Sequence, residues 1–355
     1  MLQKVLSIET SCDDTSVAIV GHDGYVHELL SASQDDAHAP FGGIVPEIAC
    51  RNHSIQLLPL IEHVLQSYTS KQGQEVHWDD VDGIVVTNRP GLVGSLIVGL
   101  VTAKTLSQTL NIPFLGVNHL EGHLLAPFLR DDAYKPSFGH ESSYVALAVS
   151  GGHTSIYRVN GLGKYKVLGA TRDDAAGEAY DKFAKMLGLG FPGGVKVDRL
   201  AQSGDPEAYH FPRGLIKEDT YDMSFSGLKA SAQRQIESMI PEEIHEKLND
   251  LCASFQEAVS EVLVAKLNRA VENEKQTRVV LTGGVSANSR LRSATQAWAQ
   301  RKGVELLIPP LRYCTDNAAM IGYAGILRMQ RGERSDLLLG PSPQALPGDF
   351  DVSYE

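Results

Sequence analysis

Cysteine is scarce in this chain of 355 residues: Cys12, Cys50, Cys252 and Cys314 are the only four. They form no C-x-x-C pair and no dense framework, which excludes a disulfide scaffold and fits a reducing compartment. Positive charge is also in deficit. Lysine and arginine number 32 against 43 aspartates and glutamates, a net charge of −11. That balance excludes a nucleic-acid binder working by charge alone, so any RNA contact needs a local basic strip or a basic partner. Long apolar runs are missing too. The longest, from Gly91 to Ala103, falls short of the ~20 residues a helix needs to cross a bilayer and reads as a buried helix. No leader-like segment precedes the apparent strand "KVLSIE", which begins at Lys4, and no low-complexity stretch occurs. These absences predict a cytoplasmic protein without a membrane partner.

What remains is ordinary enzyme composition, 43% hydrophobic and 21% charged, in a chain long enough for two domains or one two-lobed unit. Two stretches share a plan. "KVLSIETSCDDTSVAIVGHDGYV" and, about 140 residues on, "YVALAVSGGHTSIYRVNGLGKYKVLG" each run apolar strand, polar turn, apolar strand, glycine-containing turn. Each opens a half-chain that continues into amphipathic helices such as "PEIACRNHSIQLLPLIEHVL", which predicts a duplicated lobe. A third strand, Val279 to Leu281, turns at Gly283-Gly284 and opens a helix near Ser286 or Asn288. Bare N–H groups and a helix start there suit an anion or nucleotide. The expected lobes are residues 1–135 and 136–330, joined through the polar stretch 130–143, with an extended or frayed tail over 331–355.

"GVNHLEGHLLAPF" places His119 and His123 four residues apart, on one face of a helix and close enough to ligate one ion. The zincin pattern H-E-x-x-H is not met. Gly122 costs the helix about 1 kcal/mol relative to alanine, so close packing or a ligand must favour a small residue there. On spacing alone, two polar residues on a wet helix face remain the alternative. Asp174, Glu178 and Asp181 have the spacing of one helix face, and Asp13 and Asp14 sit in the first hairpin turn. Those two read either as turn-forming residues or as carboxylates that order water, steer a metal or take a proton.

Three glycine, serine or threonine turns after apolar strands resemble the actin-like ATPase superfamily, in which duplicated α/β lobes close on a nucleotide. Eight ordered blocks then sharpen the match: "IETSCDDTSVAI", "GGIVPEIA", "NHLEGH", "VSGGHTS", "DDAAGEAYDKFAKMLGLGFPGG", "SFSGLK", "GGVSANSRLR" and "CTDNAAMIGYAG". Spread over residues 4–330, they resemble the bacterial TsaD family of tRNA threonylcarbamoyladenosine transferases, once called O-sialoglycoprotein endopeptidases.

The resemblance implies a two-lobed actin-like α/β fold that moves a threonylcarbamoyl group from threonylcarbamoyl-AMP to the N6 amine of adenosine 37 in tRNAs reading codons that begin with adenine. It implies one divalent metal ion, iron(II) or alternatively zinc, held by His119, His123 and Asp316; the spacing by itself would make Asp316 a helix cap. It implies substrate contacts from the loop Ser150, Gly151, Gly152, His153 and Thr154, from Asp181, Gly194 and Asp198, and an adenosine contact from Asn288, with the adenine nucleotide in the cleft. Asp13 is the candidate proton acceptor. The implied partners are tRNA, a paralogous TsaB-type subunit of the same fold and a TsaE-type P-loop ATPase. The family usually has Gly-Pro-Gly-Leu where this chain has Arg89-Pro90-Gly91-Leu92, which adds a cation of open purpose. Two rivals are a small-molecule kinase of the same superfold and a metallopeptidase, the latter opposed by the missing glutamate after His119.

Overall fold

The computed structural model describes residues 2–72, 78–345 and Asp349. They form two compact units, one built from the chain up to His140 together with Pro309–Asp349, the other from Glu141–Ile308. In the first, β1 (Lys4–Glu9), β2 (Thr15–Gly21) and β3 (Val26–Ala32) make an antiparallel meander. After α1 (Asp35–His38) and α2 (Pro46–Gln72), β4 (Gly83–Arg89) joins β1 in parallel. Next, α3 (Val93–Leu110) crosses to β5 (Phe114–Asn118), parallel to β4, and β5 runs straight into α4 (His119–Leu125). The sheet order is β3-β2-β1-β4-β5.

The second unit repeats the plan. An antiparallel meander of β6 (Tyr144–Val149), β7 (Thr154–Val159) and β8 (Tyr165–Ala170) comes first. A helical run follows: α5 (Ala176–Met186), α6 (Gly193–Ala201), α7 (Ser226–Glu237), α8 (Pro241–Glu246) and α9 (Leu248–Asn273). It delivers β9 (Arg278–Thr282) parallel to β6, and α10 (Ser289–Lys302) leads to β10 (Glu305–Leu307), parallel to β9. Read from β8, the order β8-β7-β6-β9-β10 matches the first sheet strand for strand. The duplication expected from the two hairpins is therefore a repeat of whole sheets.

Three expectations are corrected. The boundary lies at His140/Glu141 rather than near residue 135, and residues 309–330 return to the first unit instead of closing the second. The physical reason is the last helix, α11 (Ala318–Gln330), which is buried through nearly all its length and packs on β1, β2 and β4. Small residues let it lie close to the sheet: a Cβ on Gly322 would sit 2.6 Å from Ser7 Oγ, and one on Gly325 would sit 2.2 Å from a Val85 methyl. Burying each apolar side chain of such a helix contributes roughly 1.5–3 kcal/mol. The second correction concerns α3, expected to be buried. It buries Leu96, Gly99, Leu100 and Ala103, while Val93, Ile97 and Val101 are 43%, 44% and 56% exposed along one stripe. The helix continues beyond the apolar run that opens it, and over its 18 residues it could cross a membrane by length and composition alone. The third is Asp174, which precedes α5 instead of lying on it, so it shares no helix face with Glu178 and Asp181.

Candidate active site

The first centre forms where β1, β4, β5 and α11 end or begin. Asn118 caps α4, its Oδ1 accepting from the Leu120 N–H at 2.8 Å, so the helix opens with His119 and carries His123 one turn on. Gly122 answers the packing question: a Cβ there would lie 2.7 Å from Ile321 Cδ1, so glycine lets α4 press against α11. Across from the two imidazoles comes Asp316. Asn317, not Asp316, caps α11, accepting from Met320 N at 3.0 Å, which leaves the Asp316 carboxylate for the histidines.

Asp316 Oδ1 lies 3.4 Å from His119 Nε2 and 3.1 Å from His123 Nε2. One donor atom from each of the three residues falls within 4.8 Å of the others. Two imidazoles and a carboxylate in such proximity fit a borderline divalent ion such as iron(II) or zinc. The electrostatics agree with that fit. Burial alone would raise the Asp316 carboxyl, yet His119 and His123 outweigh it and hold it well below the usual carboxylate range. Burial alone would lower His119, but Asp316 and then Glu9 hold it well above the ordinary imidazole value. The cluster is an electronegative socket that attracts a cation, whether proton or metal.

Glu9 is the residue that sequence reasoning missed. At the end of β1, and 1% exposed, its carboxylate accepts from Ser11 N at 2.5 Å, Thr87 Oγ1 at 2.5 Å and His119 Nδ1 at 3.1 Å. A carboxylate has no proton to give, so it assigns the donor tautomer to Nδ1 and turns Nε2 towards Asp316. The signal in the chain was an acidic residue at the end of a largely apolar strand.

Beside this centre lies the turn after β1. Burial first, then the Asp316 carboxylate, raises the Asp13 carboxyl above its ordinary value. Asp14 is pushed up to about 8 by burial, then by Asp13, Asp316 and Asp35. The turn is held by His53, whose Nε2 is 3.0 Å from Cys12 O. Both aspartates therefore belong to the same acidic neighbourhood as the proposed ligand set.

The remaining candidates all fall in the second unit, linked by hydrogen bonds along one path. The hairpin turn is closed by Ser150 N donating to His153 O at 2.7 Å and His153 N to Ser150 Oγ at 3.1 Å. Gly151 and Gly152 face open space where a Cβ would sit, so their backbone can meet a ligand closely. The loop rests on α5, since Gly177 N and Glu178 N donate to Ser150 O and Gly151 O. Thr154 Oγ1 accepts from Ala176 N at 2.9 Å, so its hydroxyl already holds the start of α5. Asp181 Oδ1 accepts from Gly193 N at 2.8 Å at the start of α6. A Cβ on Gly193 would come 2.4 Å from Ala184 Cβ, whereas Gly194 has room, which divides the pair into a packing glycine and an open one.

Asp198 accepts from Ser289 Oγ at 2.7 Å, next to Asn288. Asn288 caps α10 through Leu291 N at 2.9 Å and donates to Gln256 Oε1 at 2.6 Å. Its side chain is thus oriented from both ends. The basic residues flanking this path are largely committed: Lys182 to Asp174 and Glu178, Lys196 to Leu189 O, Arg290 to Glu257, and Arg292 to Ser286 O.

Duplicated sheets of this order give a two-unit α/β protein with the actin-like fold, one unit carrying a His-His-Asp cluster. Solved structures agree on the fold: full-length HypF in its phosphate- and nucleotide-bound form superposes with a TM-score of 0.60 at 13% identity, covering 94% of this chain and 47% of that one. Component A of the Acidaminococcus fermentans (R)-2-hydroxyglutaryl-CoA dehydratase gives 0.52 at 13% identity, covering 92% and 99%. The family model described as TsaD, tRNA N6-adenosine threonylcarbamoyltransferase, matches residues 26–323. A protein of that name from Bdellovibrio bacteriovorus is 65% identical over 350 residues, 99% of this chain and 100% of that protein. Another from Sorangium cellulosum is 49% identical, with 97% of each chain covered. The chain belongs to the TsaD family.

Proposed function

We propose that this chain moves the threonylcarbamoyl group of threonylcarbamoyl-AMP onto the N6 amine of adenosine 37 in tRNAs that read codons beginning with adenine. The observation that carries this reading is the 65% identity, along the whole length, to a tRNA N6-adenosine threonylcarbamoyltransferase. The donor is a mixed anhydride and already activated, so the protein's work is to position it and stabilise charge. Backbone N–H groups of Ser150–Thr154 hold the phosphate, with Gly151 and Gly152 permitting close approach and His153 adding a donor. Asp181, Gly194, Asp198 and Asn288 hold the rest of the adenylate. As the N6 amine forms its bond to the carbamoyl carbon, the bond to the phosphate oxygen breaks and AMP leaves with that electron pair. Asp13, made more basic by burial and Asp316, takes the amine's proton.

His119, His123 and Asp316 hold one divalent ion, iron(II) or alternatively zinc, which when bound supplies Lewis-acid stabilisation of developing negative charge. The protein works in the cytoplasm, away from membranes, with a paralogous TsaB-type subunit and a TsaE-type P-loop ATPase. Support for a partner comes from the apolar stripe of α3 and from Ile55 and Leu58, 65% and 59% exposed on α2, the helix that packs against α3. Recruitment of tRNA needs such help, because the net charge is −11 and most flanking cations are already paired.

The test supplies threonine, bicarbonate, ATP, the adenylate-forming enzyme, both partners and tRNA, then analyses the digested RNA by mass spectrometry. Threonylcarbamoyladenosine is expected. Its absence, with ATP spent on phosphorylating a small acceptor, would transfer the case to the kinase reading.

A further inference from the structure

One face of His119 is fixed by Glu9, and Glu9 is itself held by Thr87 of β4. Two residues further along that strand, Arg89 stands opposite Asn118 in the β4–β5 ladder, past a register shift that follows Thr87. Arg89 does not reach solvent as a loose cation. Its Nε and Nη2 grip both oxygens of Asp349 at 2.7 and 2.6 Å, with side chains only 18% and 11% exposed. Asp349 Oδ2 also accepts from Asn118 Nδ2 at 3.0 Å. Asn118 is the cap of α4, and the next residue is His119.

Residues 335–342, after α11, are laid along β4 and β5 by further ties. Ser335 N donates to Phe114 O and Ser335 Oγ accepts from Gly116 N. Lys104 Nζ reaches Leu339 O at 2.6 Å, and Asn88 Nδ2 reaches Gly340 O at 3.2 Å. Asp349 differs from all of these, because it alone meets the cap residue. An asparagine cap works only with its oxygen towards the helix, and its amide can turn end for end. An acceptor placed at Nδ2 selects the capping orientation, and the bidentate guanidinium fixes that acceptor in place.

We infer that Asp349 and Arg89 are positioning residues for the metal ligand His119: the tail carboxylate orients the Asn118 cap and thereby sets the first residue of α4. The inference rests on the proposed metal reading of His119, His123 and Asp316. It also gives Arg89 a purpose, since the cation that stands where glycine is usual serves the tail of this chain rather than a phosphate.

The test measures zinc affinity of the full chain by competition with a chromophoric chelator, beside the melting temperature of the metal-free protein. Asp349→Ala is expected to weaken zinc binding about 10-fold, the lower end of what loss of an outer-shell group costs. Ser335→Ala cuts a different tie of the same segment and serves as the control. It should lower the melting temperature of the metal-free protein while leaving zinc affinity unchanged. Arg89→Gly, read in the same way, keeps the test decisive should Asp349→Ala fail to fold. Wild-type affinity in Asp349→Ala and Arg89→Gly, or an equal loss in Ser335→Ala, overturns the inference and leaves the metal reading standing. A wild-type chain that takes up no zinc or iron at all removes the metal reading and the inference together.

Discussion

Replacing Glu9 by glutamine changes almost no volume and removes one charge, which isolates what the carboxylate does. Its two oxygens serve three donors, Ser11 N, Thr87 Oγ1 and His119 Nδ1, at 2.5, 2.5 and 3.1 Å. A glutamine has one acceptor oxygen and an NH2 group, so at least one buried donor then faces another donor. Losing a hydrogen bond to a charged group costs about 1.5–3 kcal/mol. If that loss falls on His119, its imidazole is no longer held with Nε2 towards Asp316, and metal affinity should drop roughly 10- to 100-fold, about 1.4–2.7 kcal/mol. The assay is zinc competition against a chelator, with urea unfolding of the metal-free protein to record the stability cost separately. A Glu9→Gln protein that binds zinc within about twofold of wild type, despite a clear stability loss, would refute the orienting role and leave Glu9 as a structural tie between β1 and β4.

Other outcomes follow from the same geometry. Because Asp14 is pushed up to about 8, its folded-state pKa lies above the unfolded value; its contribution is full below about 4 and is lost as pH rises towards 8. Asp14→Asn should therefore stabilise the metal-free protein by up to about 5 kcal/mol at pH 8 and by little at pH 4; thermal melts showing the reverse trend would contradict the sign. Gly152→Val fills the open side of the hairpin turn and Asn288→Ala removes an oriented amide, so calorimetry should show each weakening a stable adenylate analogue by at least about 10-fold. Val101→Asp, placed on the exposed stripe of α3, should leave the melting temperature within a few degrees while abolishing co-elution with the paralogous subunit. Unchanged co-elution would put the partner elsewhere.

Much of the fold was legible because its signals are local. Each hairpin carries its own alternation and turn, and the Val279–Leu281 strand with its glycine turn is visible in a dozen residues; all three stand where expected. The histidine pair was legible as spacing, but its third member was legible only through the family resemblance, since Asp316 stands beside a better cap, Asn317. Glu9 was not legible: its meaning comes from Thr87 and His119, which the sheet alone brings to it. The exposed stripe of α3 escaped because the buried face is just as apolar, so periodicity carries no contrast. Asp174 escaped because α5 begins only at Ala176, two residues later, and the Asp174 carboxylate pairs with Lys182 and Lys229. The return of α11 to the first unit escaped for a related reason. A helix buried on all sides does not reveal which sheet it covers.

Dependence of group transfer on the His119–His123–Asp316 centre shows in a single turnover. Preformed threonylcarbamoyl-AMP carrying labelled threonine is mixed with tRNA, both partners and either wild-type protein or the His119→Ala/His123→Ala variant, with metal content of each measured by elemental analysis. About one divalent ion per wild-type chain is expected, with labelled threonylcarbamoyladenosine in its tRNA digest, and neither in the double variant. Labelled nucleoside formed at the wild-type rate by a metal-free double variant, or none formed by the metal-loaded wild type, would contradict it.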